Sequence, residues 1–177
     1  MISAGLSFSI SAYAIRNEVR SNGIRDFTFK PDPETSMRTS ARNHFAGHIA
    51  DVKSGAVNDE VILRTDDGLD IVAIITQGGA ASLGLERNST AFALVKASSV
   101  LVLVDFDSHK ISARNCIAGT VSAVVKGAVN AEVEISVPEG AKIVSIITND
   151  SVDRLGLAVG KPATAIFKAS SVIVGIE

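Results

Sequence analysis

Two hydroxyls and two cations recur in this chain as a set. Ser40, Arg42, Lys96 and Ser98 form the first, and Ser112, Arg114, Lys168 and Ser170 the second. Arginine offers a planar fork of donors to oxygen atoms, and lysine adds a compact point charge. Serine hydroxyls and loop backbone N–H groups can complete a nest of donors. All these groups donate, and no carboxylate keeps a repeated place among them. Such a set suits an oxyanion, not a metal cation. A lone Arg or Lys is ordinarily a solvated surface charge and a lone Ser a turn residue. Here the pattern survives twice while many surrounding positions differ, which favours a functional role.

The set recurs because the chain is a tandem duplication. Ser40-Ala41-Arg42-Asn43 returns as Ser112-Ala113-Arg114-Asn115, a shift of 72 residues that holds without a gap to the C-terminus. Gly55-Ala56-Val57-Asn58 falls on Gly127-Ala128-Val129-Asn130, and Lys96-Ala97-Ser98 on Lys168-Ala169-Ser170. Roughly half of the paired positions are identical, well beyond a compositional echo.

Catalysis finds no support. His44, His48 and His109 do not recur, and no nucleophile triad, metal-ligand cluster or pair of carboxylates repeats. Glu60 and Glu132 do match, and a structural polar contact is the expected role, with support of a ligand loop as the alternative. The Gly-Ala-Val-Asn stretches lack the Gly-Lys-Ser/Thr ending of a P-loop and read as tight turns, with a second backbone anion nest as the functional alternative. Cys116 is the only cysteine, so no intrachain disulfide forms, in keeping with a reducing cytoplasm. It faces His44 in the other copy and reads as a small apolar side chain.

Net charge is −2 with both signs mixed along the chain, so no basic stripe argues for nucleic acid. No apolar run approaches the ~20 residues of a membrane span, and no signal-peptide pattern opens the chain.

The elements that must position these residues are short strands. Apolar–polar alternation follows each Ser-Ala-Arg-Asn, and strands are expected near residues 60–64, 70–76, 91–96 and 100–104 and their counterparts. Asp66-Asp67-Gly68 and Pro138-Glu139-Gly140 read as hairpin turns. One short helix should follow the third strand, capped in the second copy by Asn149, Asp150 or Ser151 and ended by Gly156, and weaker in the first copy. The expected fold is mainly β: two tandem OB-like five-stranded Greek-key barrels, each with one short helix. The expected domains are 37–106 and 107–177, joined around 105–110. Residues 1–36 read as a weakly ordered arm or a short helix plus linker, with a strand near Asp26–Phe29 or a natural start at Met37 as alternatives.

The Ser-Ala-Arg-Asn opening, the Gly-Ala-Val-Asn-x-Glu-Val segment, Ile-Thr before the helix, Leu-Gly-Leu and the closing Lys-Ala-Ser resemble the Mop (molbindin, TOBE-type) family of molybdate-binding domains. The resemblance covers residues 37–177. It implies oxyanion sites where the Ser-Ala-Arg-Asn segment of one domain meets the Lys-Ala-Ser segment of another. On this chain that means Ser40, Ala41, Arg42 and Asn43 with Lys168, Ala169 and Ser170, or Ser112, Ala113, Arg114 and Asn115 with Lys96, Ala97 and Ser98. It also implies a homotrimer, with further anion sites lined by Gly55–Asn58 and Gly127–Asn130.

These readings converge on a cytoplasmic, non-enzymatic binding protein for molybdate or tungstate, serving storage or homeostasis. It would use no catalytic cofactor, free metal cation, nucleic acid or membrane. The alternative is the ligand-sensing part of a molybdate-responsive regulator, although residues 1–36 are too short for a winged helix-turn-helix domain.

Overall fold

The computed structural model describes residues 38–105 and 110–176. The arm, Met37, and Phe106–His109 of the joint lie outside the described residues.

Each repeat opens with a long strand, β1 (Asn43–Lys53) or β6 (Asn115–Lys126). Two strands follow in hairpin register, β2 (Asn58–Thr65) with β3 (Asp70–Thr76), and β7 (Asn130–Ser136) with β8 (Lys142–Thr148). Alternation puts Val61, Leu63 and Ile71 inward, as it does Val133, Ile135 and Ile143. Gly68 and Gly140 take positive φ at the expected turns. Gly47 and Gly119 serve close strand approach instead, since a Cβ at either would collide with the backbone of Arg64 or Ser136 on the neighbouring strand.

Both expected helices form, α1 (Gln77–Leu83) and α2 (Asn149–Arg154). Their caps differ from expectation. Thr76 Oγ1 accepts from the Gly79 N–H, and Thr148 Oγ1 accepts from the Ser151 N–H, both at 3.1 Å. The threonine of the repeated Ile-Thr therefore caps both helices, and the first copy needs no Asn or Asp.

Then come β4 (Thr90–Val95) and β9 (Pro162–Phe167), each followed by a 3-10 turn, Ala97–Ser99 or Ala169–Ser171. The final strands are β5 (Leu101–Leu103) and β10 (Val172–Gly175).

The result is two five-stranded, barrel-like antiparallel sheets, with one correction to the expected closure. The strand orders are β10-β4-β1-β2-β3 and β5-β9-β6-β7-β8. Each repeat sends its closing strand into the other's sheet: β10 pairs with β4 and β5 with β9. Val100 and Val102 are buried around the exposed Leu101, and Val172 and Val174 around the exposed Ile173. Full burial of one such valine contributes about 1.5–3 kcal/mol. The buried residues of both repeats consequently form one continuous core.

The 3-10 turns direct the exchange. Ala97 and Ala169 are buried, and the turns lie against β8 and β3 of the opposite repeat. Ser145 of β8, wholly buried, donates its hydroxyl to the Val100 carbonyl at 2.6 Å.

Candidate functional site

Asn115 opens β6 opposite Phe167 at the end of β9. That register places Ser112, Ala113 and Arg114 beside Lys168, Ala169 and Ser170 of the same repeat. The exchanged β5 then carries Ser98 and Ser99 of the first repeat to the same spot. Together they line a cleft of about 660 Å³. Ile74, Leu101 and Ile111 form its apolar wall. The first repeat has the matching register, Asn43↔Val95 with β10 beside β4, so its Ser40-Ala41-Arg42 and Lys96-Ala97-Ser98 segments adjoin equivalent strand ends.

The family resemblance implies contacts between domains, and within this chain the cleft holds one part of them, Ser98 beside Ser112, Ala113 and Arg114. The Ser-Ala-Arg segment meets the Lys-Ala-Ser segment of its own repeat, because the β6–β9 ladder fixes it there. The opposite repeat contributes Ser98 and Ser99 to the cleft, while Lys96 does not line it. Lys96 and Lys168 are exposed and form no ion pair among the described residues.

Asn43 and Asn115 have side chains committed to architecture. The Asn43 amide donates to the Val95 and Val144 carbonyls at 3.1 and 2.9 Å, and its oxygen accepts from the Val144 N–H at 2.7 Å. Asn115 makes the same reciprocal pair with Val72, both at 2.8 Å. Both residues are buried. Each covers the outer edge of the opposite repeat's third strand, where unpaired backbone groups would otherwise stand.

The arginines hold a second correction, since carboxylates do keep a repeated place beside them. Arg114 grips Glu60 with a two-point fork, Nη1 to Oε2 at 2.6 Å and Nη2 to Oε1 at 2.9 Å. Arg42 Nη1 meets Glu132 Oε2 at 2.9 Å. In both pairs the acid and the base come from opposite repeats. The signal was the recurrence of Glu60 as Glu132, which showed that a role existed but not which partner filled it.

Each Gly-Ala-Val-Asn loop stands at the far end of its own repeat's opening strand, β1 or β6, and runs into Glu60 or Glu132, the residue that reaches the other repeat's arginine. Val57 and Val129 project into solvent there, but the first backbone donor of each loop is occupied. The Gly55 N–H binds the buried Asp59 carboxylate at 3.1 Å, and the Gly127 N–H binds the Asn130 carbonyl at 2.8 Å.

Among the described residues His44, His48 and Cys116 do not line the cleft: His44 tilts against Phe92, and burial pushes the Cys116 thiol up from its ordinary pKa. Among the described residues no three His, Cys, Asp or Glu side chains converge to hold a metal, and no helix is long and apolar enough to cross a membrane.

The TOBE domain family matches this chain twice, over residues 39–102 and 111–174. The chain belongs to the TOBE domain family. Its TOBE repeats are 44% identical over 142 residues to the molybdenum transport protein ModE of Herbaspirillum seropedicae, covering 80% of this chain and 53% of that protein. They are 43% identical over 141 residues to the molybdenum-pterin-binding protein MopA of Rhodobacter capsulatus, again over 80% and 53%. The chain thus spans about half the length of these curated relatives. The TOBE pair also matches a molybdate-bound crystal structure of the cytoplasmic molybdate-binding protein ModG. That match has a TM-score of 0.76 and 42% identity, over 80% of this chain and 100% of that one.

Proposed function

We propose that this chain binds molybdate reversibly in the cleft at Arg114 and at the equivalent place beside Arg42, without turnover, and accepts tungstate as well. The observation that carries the reading is the convergence of Ser98, Ser112, Arg114, Lys168 and Ser170 on one cleft. Molybdate is a tetrahedral dianion at neutral pH. Lys168 supplies charge, the arginine supplies directed N–H groups, and the serines turn their hydroxyls to whichever oxygen needs a proton. Asn43 and Asn115 support this site from behind by joining the two sheets. The Gly55–Asn58 and Gly127–Asn130 loops are the secondary anion sites of this reading, reached through their remaining backbone donors. The similarity to ModG and MopA supports the choice of anion. The biological role is storage or homeostasis of the anion in the cytoplasm, by a homotrimer.

Native mass spectrometry with excess molybdate, and with sulfate as control, tests this directly. Discrete molybdate adducts on an oligomer, absent with sulfate, are expected; an assembly that takes up neither ion refutes the binding role.

A second reading is the ligand-sensing portion of a molybdate-responsive regulator. It is favoured by the similarity to ModE. On that reading molybdate changes affinity for a separate partner, which a pull-down with and without the anion reports.

A further inference from the structure

We propose that Glu60 sets the anion selectivity of the Arg114 cleft by holding that arginine at a fixed reach, and that Glu132 does the same for Arg42 at the equivalent place. This rests on the reading of the two places as oxyanion sites. Glu60 stands on β2 opposite Ile74, which itself lines the cleft containing Arg114. Its two oxygens take both terminal nitrogens of that arginine. Glu132 engages Arg42 from the equivalent place. The arrangement is reciprocal, each carboxylate reaching across to the other repeat.

Stability alone does not account for it. The arginine side chains are 53% and 59% exposed and the glutamates 22% and 35%. Pairs this open to solvent on the arginine side contribute modestly to folding. The consequence is positional. End-on pairing uses the two facing N–H groups of Arg114 and leaves Nε–H and the outer Nη–H groups to point elsewhere. A guanidinium pinned from one side cannot follow a smaller anion inward. Sulfate is the smaller tetrahedral dianion, so against rigid donors it leaves some of them unpaired. The carboxylate also offsets the arginine's charge, so a poorly fitting anion gains less from attraction alone. Released from its glutamate, the same arginine would swing to meet sulfate and molybdate alike. Glu60 and Glu132 are therefore positioning residues, acting on the ligand through the arginines.

The test is calorimetric titration of the full chain with sodium molybdate and sodium sulfate, comparing the parent with Glu60→Gln, Glu132→Gln and the double variant. Glutamine keeps size and one acceptor but gives up the charged fork. The double variant should keep the parent's unfolding midpoint and lose about tenfold in its molybdate-over-sulfate ratio, chiefly through tighter sulfate. Glu60→Asp, which keeps the charge but withdraws it by one methylene, should fall between, and covers the case of a poorly folded Gln variant. An unchanged ratio overturns the proposal, as does a parallel loss of both affinities. A parent that binds neither anion would overturn the oxyanion reading itself, a result separable from an unchanged ratio.

Discussion

Asn43 and Val144 are 101 positions apart in sequence, yet the carboxamide of the first binds both the N–H and the carbonyl of the second. The contact joins the opening strand of one repeat to the third strand of the other. Asn43→Ala would leave a buried cavity and remove three hydrogen bonds to backbone groups, of Val95 and Val144. It should cost roughly 2–3 kcal/mol, measurable as a lower urea midpoint at unchanged slope. Asn115→Ala, which strands Val72, should behave the same way, whereas Asn58→Ala on an exposed loop should stay within about 0.5 kcal/mol.

Replacing Arg114 by Lys removes the fork while keeping the charge. Molybdate should bind about tenfold more weakly at that cleft, with little change in thermal unfolding. Lys168→Ala should weaken binding too. It removes a point charge and no directed pair, so its effect should shrink as salt is raised. Calorimetry at two ionic strengths separates the two behaviours.

The Arg42 and Arg114 sites should not be equal. The Ala41 N–H is taken up by Thr39 Oγ1 at 3.1 Å. Ile111 holds the equivalent position and has no hydroxyl, and the Ala113 N–H makes no hydrogen bond among the described residues. Among the described residues one more backbone donor is therefore open beside Ser112 and Arg114. Two affinity classes, about three- to tenfold apart, are expected. Thr39→Val should draw them together in an isotherm fitted with two classes of site.

Acid should loosen the first sheet through Asp70. Its hydrogen bonds with Arg64, at 2.7 and 2.8 Å across the β2–β3 hairpin, hold the carboxyl below its ordinary pKa. A lowered folded pKa means that the stabilisation is fully present above the unfolded value of about 4 and fades as pH falls through the lower folded value. The pair is largely exposed, so the loss should stay below about 1 kcal/mol. Urea midpoints of the parent and Asp70→Asn should converge below pH 4 and separate slightly at neutrality.

Much of this was open to reading in the sequence because the repeat supplied an internal comparison. Alternation located the strands, Gly68 and Gly140 marked the hairpins, and the twice-occurring Ser-Ala-Arg and Lys-Ala-Ser segments singled out residues that the fold brings together. The helix caps were missed at Thr76 and Thr148, because Ile-Thr reads as the end of a strand and only backbone geometry shows the threonine turning to serve the next element. The glutamates were seen to recur, but an exposed charge carries no mark of its partner when that partner lies more than fifty residues away.

Taken alone, the sequence determined the duplication, the strand pattern and the donor-rich residue set, since these depend on spacing and side-chain chemistry. Only the tertiary structure decided which repeat each closing strand completes. Val100-Leu101-Val102 and Val172-Ile173-Val174 present nearly the same alternating face, so either could complete either sheet by pattern alone. The choice lies in where the 3-10 turns rest on the opposite third strand, with Ser145 holding the Val100 carbonyl. The exchange brings Ser98 into the Arg114 cleft, and the cross-repeat contacts set Glu60 behind Arg114. The cleft is a property of the joined pair because its walls come from both halves of the chain.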